Sequence, residues 1–279
     1  MSPLSEIRFV AQRELGKSFR SAKGIVLLVL SLLGGTGATL LLVKAQQLKR
    51  EKLAGANADM LRELREDAAT QIFGDPQTGK SLAEAPEVLV AVLLLTIWLT
   101  PLVISLLGFD SVAGDLQHKS VRYWTLRTRR WSYFVGKWAG VLATVSMMTF
   151  AMHALIWILC IIRGEAPAAT ALGWGIRFWL ITLPISAAWC AVATFVSSLF
   201  KSPIIALLVI FSSFFGLWLF WMIGQVSHIS ALQYVYPNFY DAMLINPRLD
   251  RSMAGLACCV GMAALYVGGG SYLFSRRDV

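Results

Sequence analysis

Six apolar runs, at 24–43, 88–109, 138–162, 178–200, 203–226 and 253–275, decide most of what this chain can fold into. Each approaches the roughly 20 residues that a helix needs to cross the hydrocarbon of a bilayer, and none contains an acidic residue. A membrane barrel would alternate apolar and polar positions over segments of about 10 residues. That alternation is absent, so helices are the remaining way to satisfy every backbone donor and acceptor inside lipid. Only 15% of the residues are charged and 57% are hydrophobic, against about 25% charged in soluble domains. The expected fold is an all-α membrane protein with six transmembrane helices.

The polar segments set the orientation, because basic segments beside a span stay cytoplasmic. With the N-terminus inside, residues 1–23 (5 basic, 2 acidic), 110–137 (6 basic, 2 acidic), Lys201 and 276–279 carry the whole formal charge of +9. The opposite segments, 44–87, 163–177 and 227–252, then sum to zero. Both termini are therefore expected in the cytoplasm of a cytoplasmic (inner) membrane. The same asymmetry accounts for the basic character without nucleic acid, for which basicity is expected but not specific.

Ser2-Pro3 is a helix start, a capping hydroxyl followed by proline at the first helical position. Leu4, Ile7, Ala11, Leu15, Phe19 and Ala22 then recur at helical spacing, with Arg8, Arg13, Lys17, Arg20 and Lys23 on other faces. This pattern predicts an amphipathic helix over 1–23 lying in the membrane surface, its basic groups toward lipid headgroups. The first run is longer than the 7 to 15 residues of a signal-peptide core, so span 24–43 is expected to be retained.

Residues 44–87 form a long outer segment in which Leu53, Ala56, Met60, Leu64, Ala68 and Ile72 make a helical stripe, predicting a small extracytoplasmic helical cap. It includes Gly74-Asp-Pro-Gln-Thr-Gly79-Lys80-Ser81, a formal match to the phosphate-cradling G-x-x-x-x-G-K-[ST]. That motif has meaning between a buried strand and a helix. Here a charged helix precedes it and a span follows, so Gly74, Gly79, Lys80 and Ser81 are read as a chance match.

After span 88–109, kinked by Pro101, comes the basic island 110–137. Asp110, Gly114, Asp115, Arg122, Arg127, Arg129, Arg130, Gly136 and Lys137 punctuate it, and Trp124, Trp131, Tyr133 and Trp138 suit a membrane surface. A plain connector would take 2 to 8 residues, whereas this segment is far longer and helix-compatible. His153 in the third span is read as a packed, hydrogen-bonded histidine. Cys160, Cys190, Cys258 and Cys259 all lie in apolar runs and are read as packing residues. Lys201-Ser202-Pro203 predicts a tight turn between antiparallel spans, and 227–252, with its prolines and aromatics, predicts re-entrant or interfacial structure.

Three local patterns agree with one family. Arg13-Glu14-Leu15 with Ser18-Phe19-Arg20-Ser21 resembles the elbow helix of type-2 ABC transporter permeases. Phe109-Asp110-Ser-Val-Ala-Gly114-Asp115, with Arg130 and Gly136-Lys137, is similar to the family's signature after the second span. Phe274-Ser-Arg-Arg277-Asp278-Val279 resembles its usual terminus. Three departures stand beside these: Asp115 replaces the usual Glu, Lys119-Ser120 a usual Gly-Thr, and a proline near Arg127 or Thr128 is missing.

The resemblance implies a permease half paired with a second copy or homologue. In such a complex 110–137 acts as a coupling segment against a cytoplasmic ABC ATPase, which holds ATP and magnesium. No cofactor or catalytic residue is then expected on this chain. Arg13, Glu14 and Arg20 would belong to the elbow. Asp110 and Asp115 are candidates for intrachain salt bridges, and the arginines for contacts with the partner or with lipid. The implied work is substrate export or mechanical transmission to an extracytoplasmic accessory protein. The alternative is an ion-coupled secondary transporter or channel, a class that commonly carries Asp, Glu or Arg inside its spans; these runs have none.

Overall fold

The computed structural model describes residues 2–52 and 58–277. Among these residues there is no strand, and six helices are long and apolar enough to cross a membrane. They are α2 (Ala22–Lys52), α5 (Glu87–Gly108), α8 (Arg130–Ile162), α9 (Ala168–Leu199), α10 (Pro203–Val226) and α13 (Leu249–Ser275). α9 is the central element, buried along most of its length, while α2 is peripheral and contributes little to the core.

Helix α1 (Pro3–Arg20) begins as its sequence dictates, with Ser2 Oγ accepting from Ser5 N and Pro3 in the first turn. It stops at Ser21, whose backbone is extended, before α2 starts. The face that α1 buries is Glu6, Val10 and Glu14. Leu4, from the apolar stripe, is 78% exposed. Two carboxylates face inward because the neighbouring helix offers each a partner.

Two helix ends differ from the apolar runs. α8 starts at Arg130 rather than near 138, so the last part of the basic island is the first part of the third span. α9 starts at Ala168 rather than 178, which brings Arg177 into a helix. At 33 and 32 residues these helices are about 50 Å long, against roughly 30 Å of hydrocarbon. Both are longer than the hydrocarbon alone requires.

The segment between α2 and α5 folds as α3 (Ala58–Phe73) and α4 (Pro76–Ala83). Of its predicted stripe, Met60, Leu64 and Ile72 are exposed, and Leu53 and Ala56 lie outside the described residues. The two helices close instead through Gly79, where an added Cβ would sit 2.1 Å from Thr70 Oγ1 and 2.7 Å from Glu66 O.

After α10 the chain makes α11 (Ser230–Gln233), a 3-10 turn at Pro237–Tyr240 and α12 (Asp241–Ile245). The segment folds back against the bundle. Asn238 Nδ2 donates to Ile97 O at 3.1 Å, and Asn238 Oδ1 accepts from Trp189 Nε1 at 2.7 Å. Ile97 is about 15 Å along α5 from its start at Glu87. Pro101, four residues further on, has no N–H to give it. Asn238 supplies the missing donor.

Candidate functional site

The end of the bundle that carries α1 and the start of α8 also carries two short helices, α6 (Ala113–Gln117) and α7 (Val121–Arg127). They make up the middle of the basic island. α1 lies tightly along α8 because Gly136 and Gly140, one turn apart, present bare backbone to it. A Cβ at Gly136 would come within 2.6 Å of Val10 Cβ, and one at Gly140 within 2.6 Å of Glu14 Cβ. Small residues at this spacing allow such close approach.

That approach brings three charges together. Lys137 Nζ lies 2.6 Å from Glu14 Oε2 and 2.7 Å from Asp115 Oδ2, with Lys137 only 4% exposed. Tyr133 donates its hydroxyl to Asp115 Oδ2 at 2.7 Å, and Lys17 reaches Glu14 at 3.9 Å. A lysine so buried is tolerated because its donors meet carboxylates. The cluster joins α1, α6 and α8.

A third carboxylate works at the start of α8. Arg129 provides no side-chain cap there, and its N–H donates to Glu6 Oε2 at 3.1 Å. A carboxylate at a helix N-terminus meets both unpaired N–H groups and the positive end of the macrodipole. The Arg129 N–H holds the Glu6 carboxyl below its ordinary range, against the opposing effect of burial.

Asp110 pairs with Lys23 at 2.5 Å, and the same ammonium donates to Leu107 O at 3.2 Å, closing the end of α5. Ser197 of α9 accepts from the N–H groups of Val112 (3.2 Å) and Ala113 (3.1 Å) and donates to Phe109 O at 2.8 Å. Arg130 Nη1 donates to Ser275 O (2.8 Å) and Arg277 O (2.9 Å), fastening the end of α13. Arg277 in turn donates to Ser198 O. Asp278 and Val279 of the terminal pattern lie outside the described residues.

The predicted residues thus divide. Asp110, Asp115, Arg130, Gly136 and Lys137, with Glu14, are braces that face the bundle. Gly114 meets no close neighbour, since its Cβ would sit 3.5 Å from Asp110 Cβ. Arg122, Arg127 and Arg129 have exposed side chains. Arg13 stacks over Trp124 at 4.4 Å, and Arg20 is exposed at the end of α1.

α7 itself is two-faced. Val121 and Trp124 are buried, while Tyr123 and Leu126 are 77% and 84% exposed between Arg122 and Arg127. Sequence reading missed Tyr123, Leu126, Glu6 and Ser197, and placed Lys23 and Tyr133 at the membrane surface, whereas Lys23 pairs with Asp110 and Tyr133 is fully buried. The spacing Val121/Trp124 against Tyr123/Leu126 was the available signal.

A family model described as ABC-2 family transporter protein matches residues 8–279. The chain belongs to the ABC-2 transporter permease family. No curated protein sequence matches it. As an ABC-2 permease it is a multi-pass membrane component, of a family that works with a separate ATP-binding subunit. Lys119 has φ 54 between α6 and α7. This is the left-handed region in which glycine carries no Cβ penalty.

In this permease the formal phosphate-loop octapeptide is a capped helix. Asp75 Oδ2 accepts from Thr78 N at 2.9 Å and Thr78 Oγ1 at 2.8 Å, occupying the N-terminus of α4. Asn246 Nδ2 also donates to it at 2.8 Å, and Arg251 pairs with Oδ1 at 3.4 Å. The Thr78 hydroxyl is the largest influence holding the Asp75 carboxyl below its ordinary range. Lys80 points to the exposed side. His153 is packed, its Nε2 3.0 Å from a Thr96 hydroxyl that already donates to Val92 O, so the ring nitrogen is the donor.

Proposed function

We propose that this permease is the membrane subunit of an ATP-driven transporter, and that a separate cytoplasmic ABC ATPase seats on α7 and the exposed arginines beside it. ATP and magnesium belong to that partner. One observation carries the reading: α7 offers Tyr123 and Leu126 outward, flanked by Arg122 and Arg127, while its other side is pinned to the bundle. Apolar anchors ringed by charge suit a protein groove, with the charges fixing register.

The braces suit the transmission of force. A push on α7 meets Trp124, then α1 through the 6.0 Å Trp124–Phe9 ring contact and the Arg13 stack. It reaches α8 through Asp115 and Lys137. Rigid elements joined by charged contacts move as a body. The charge distribution supports both termini and α7 lying on the cytoplasmic side of an inner membrane, with α1 as an interfacial elbow. A second copy or homologue completes the permease. The output is export of a substrate or mechanical transmission to an extracytoplasmic accessory protein through α3 and α4.

The test is purification from native membranes with mild detergent, followed by identification of bound proteins. An ABC ATPase in equal amount to the permease is expected. Its recovery should fall at least tenfold in a Leu126→Asp variant that keeps its unfolding midpoint. Absence of any ATPase, or undiminished recovery with Leu126→Asp, contradicts the reading.

A further inference from the structure

At the end of the bundle away from α7, Arg177 makes no ion pair among the described residues. Arg177 is on α9, about 14 Å along the axis from Ala168. Its guanidinium lies 5.0 Å from the Trp174 ring centroid, and Nη2 donates to Ile245 O at 3.2 Å. The neighbouring cations are paired, Arg248 with Asp250 and Arg251 with Asp75. A guanidinium has five N–H donors, so several of those on Arg177 remain for an oxyanion.

Two adjoining cavities of about 460 Å³ each meet at Arg177 and Gly173. One of them runs down Ile176, Leu180 and Pro184 of α9 and across to Leu256 of α13. Ile176 and Leu180 are about half exposed, at 45% and 50%, on a helix long and apolar enough to span a membrane. The cleft is therefore an apolar channel open to the bilayer with an uncompensated positive charge at one end. A cation in such a setting requires an anion or water, and arginine binds phosphate through paired N–H donors.

We propose that this cleft binds an anionic phospholipid, its phosphate on Arg177 and an acyl chain along Ile176, Leu180, Pro184 and Leu256. Lipid is favoured over a soluble anion because the walls are hydrocarbon and extend along the span. The leaflet concerned rests on the orientation proposed above, but the site does not.

The experiment is native mass spectrometry of the purified, delipidated full chain titrated with phosphatidylglycerol, phosphatidylcholine or inorganic phosphate. Wild type should prefer phosphatidylglycerol, and excess inorganic phosphate should not displace it. Arg177→Gln should weaken phosphatidylglycerol binding about tenfold, the effect of losing one charged hydrogen-bonding group, and weaken phosphatidylcholine, whose phosphate is offset by its own choline cation, by less. Gly173→Phe keeps the cation but fills the cleft, where a Cβ meets nothing within 4 Å, and should weaken both lipids. Gly173→Phe also carries the test if Arg177→Gln does not fold. The proposal is overturned by equal phosphatidylglycerol binding in wild type and both variants, by no preference between the lipids, or by full displacement with inorganic phosphate, which would mark a soluble-anion site. None of these readouts involves an ATPase, so the outcome is independent of the coupling reading.

Discussion

Lys137 and Glu14 meet at 2.6 Å with both side chains about 5% exposed or less, joining the third span to the N-terminal helix. Asp115 completes the cluster from α6. Removing one member of a buried ion pair leaves its partners charged and unpaired, at a cost of about 3–5 kcal/mol.

Lys137→Met is accordingly expected to lower the unfolding midpoint in detergent by more than any exposed substitution on α7. Adding Glu14→Gln and Asp115→Asn to it should recover part of the loss, because no uncompensated charge then remains. A triple variant less stable than Lys137→Met alone would contradict this account of the cluster.

Asn238 serves two buried groups at once, Ile97 O and Trp189 Nε1. Asn238→Leu deprives both, and each unsatisfied buried group costs about 1–3 kcal/mol. The thermal midpoint should fall clearly. Pairing Asn238→Leu with Pro101→Ala, which restores an N–H for Ile97 O, should lose less than the sum of the single changes.

Lys119 occupies a left-handed backbone that costs a residue with a Cβ roughly 1–2 kcal/mol. Lys119→Gly removes this penalty, offset by the greater entropy glycine loses on folding. The net gain should be up to about 1 kcal/mol, read as a higher unfolding midpoint. Lys119→Ala should give no gain.

Asp241 begins α12 in the segment between α10 and α13, where burial pushes its carboxyl up from 3.8 to about 6 against the opposing Ala242 N–H. With the folded value above the unfolded one, the native state binds more protons between them. Stability contributed by this group therefore falls as pH rises from about 4 through about 6. Asp241→Asn should match wild type near pH 4 and exceed it above pH 6, as measured by unfolding midpoints across that range. A constant difference between the two at all pH values would contradict the assignment.

The six spans were legible because lipid demands long apolar helices, whatever their neighbours. Their ends were less so. α8 reaches back to Arg130 and α9 to Ala168 because polar residues there find tertiary partners, such as Lys137 with Glu14 and Arg177 with Ile245 O. Residues 110–137 were identifiable as a segment, and Glu14, Asp115 and Lys137 each stood out in the sequence. Their meeting depends on how closely Gly136 and Gly140 let α1 approach, a relationship with no local signature. Ser197 and Asn238 left no sequence signal, since each acts only on backbone or side chains far away in the chain.

The proposed seat of the ATPase is α7. It is tested most directly by replacing Leu126 with cysteine in one variant and the exposed Met60 of α3 with cysteine in another, then crosslinking in native membranes with a short thiol-to-amine reagent. Leu126→Cys is expected to yield a permease–ATPase adduct whose amount changes when ATP is added, and Met60→Cys to yield none. An adduct at Met60, or no ATPase adduct at Leu126 in membranes that contain the assembled transporter, would contradict it.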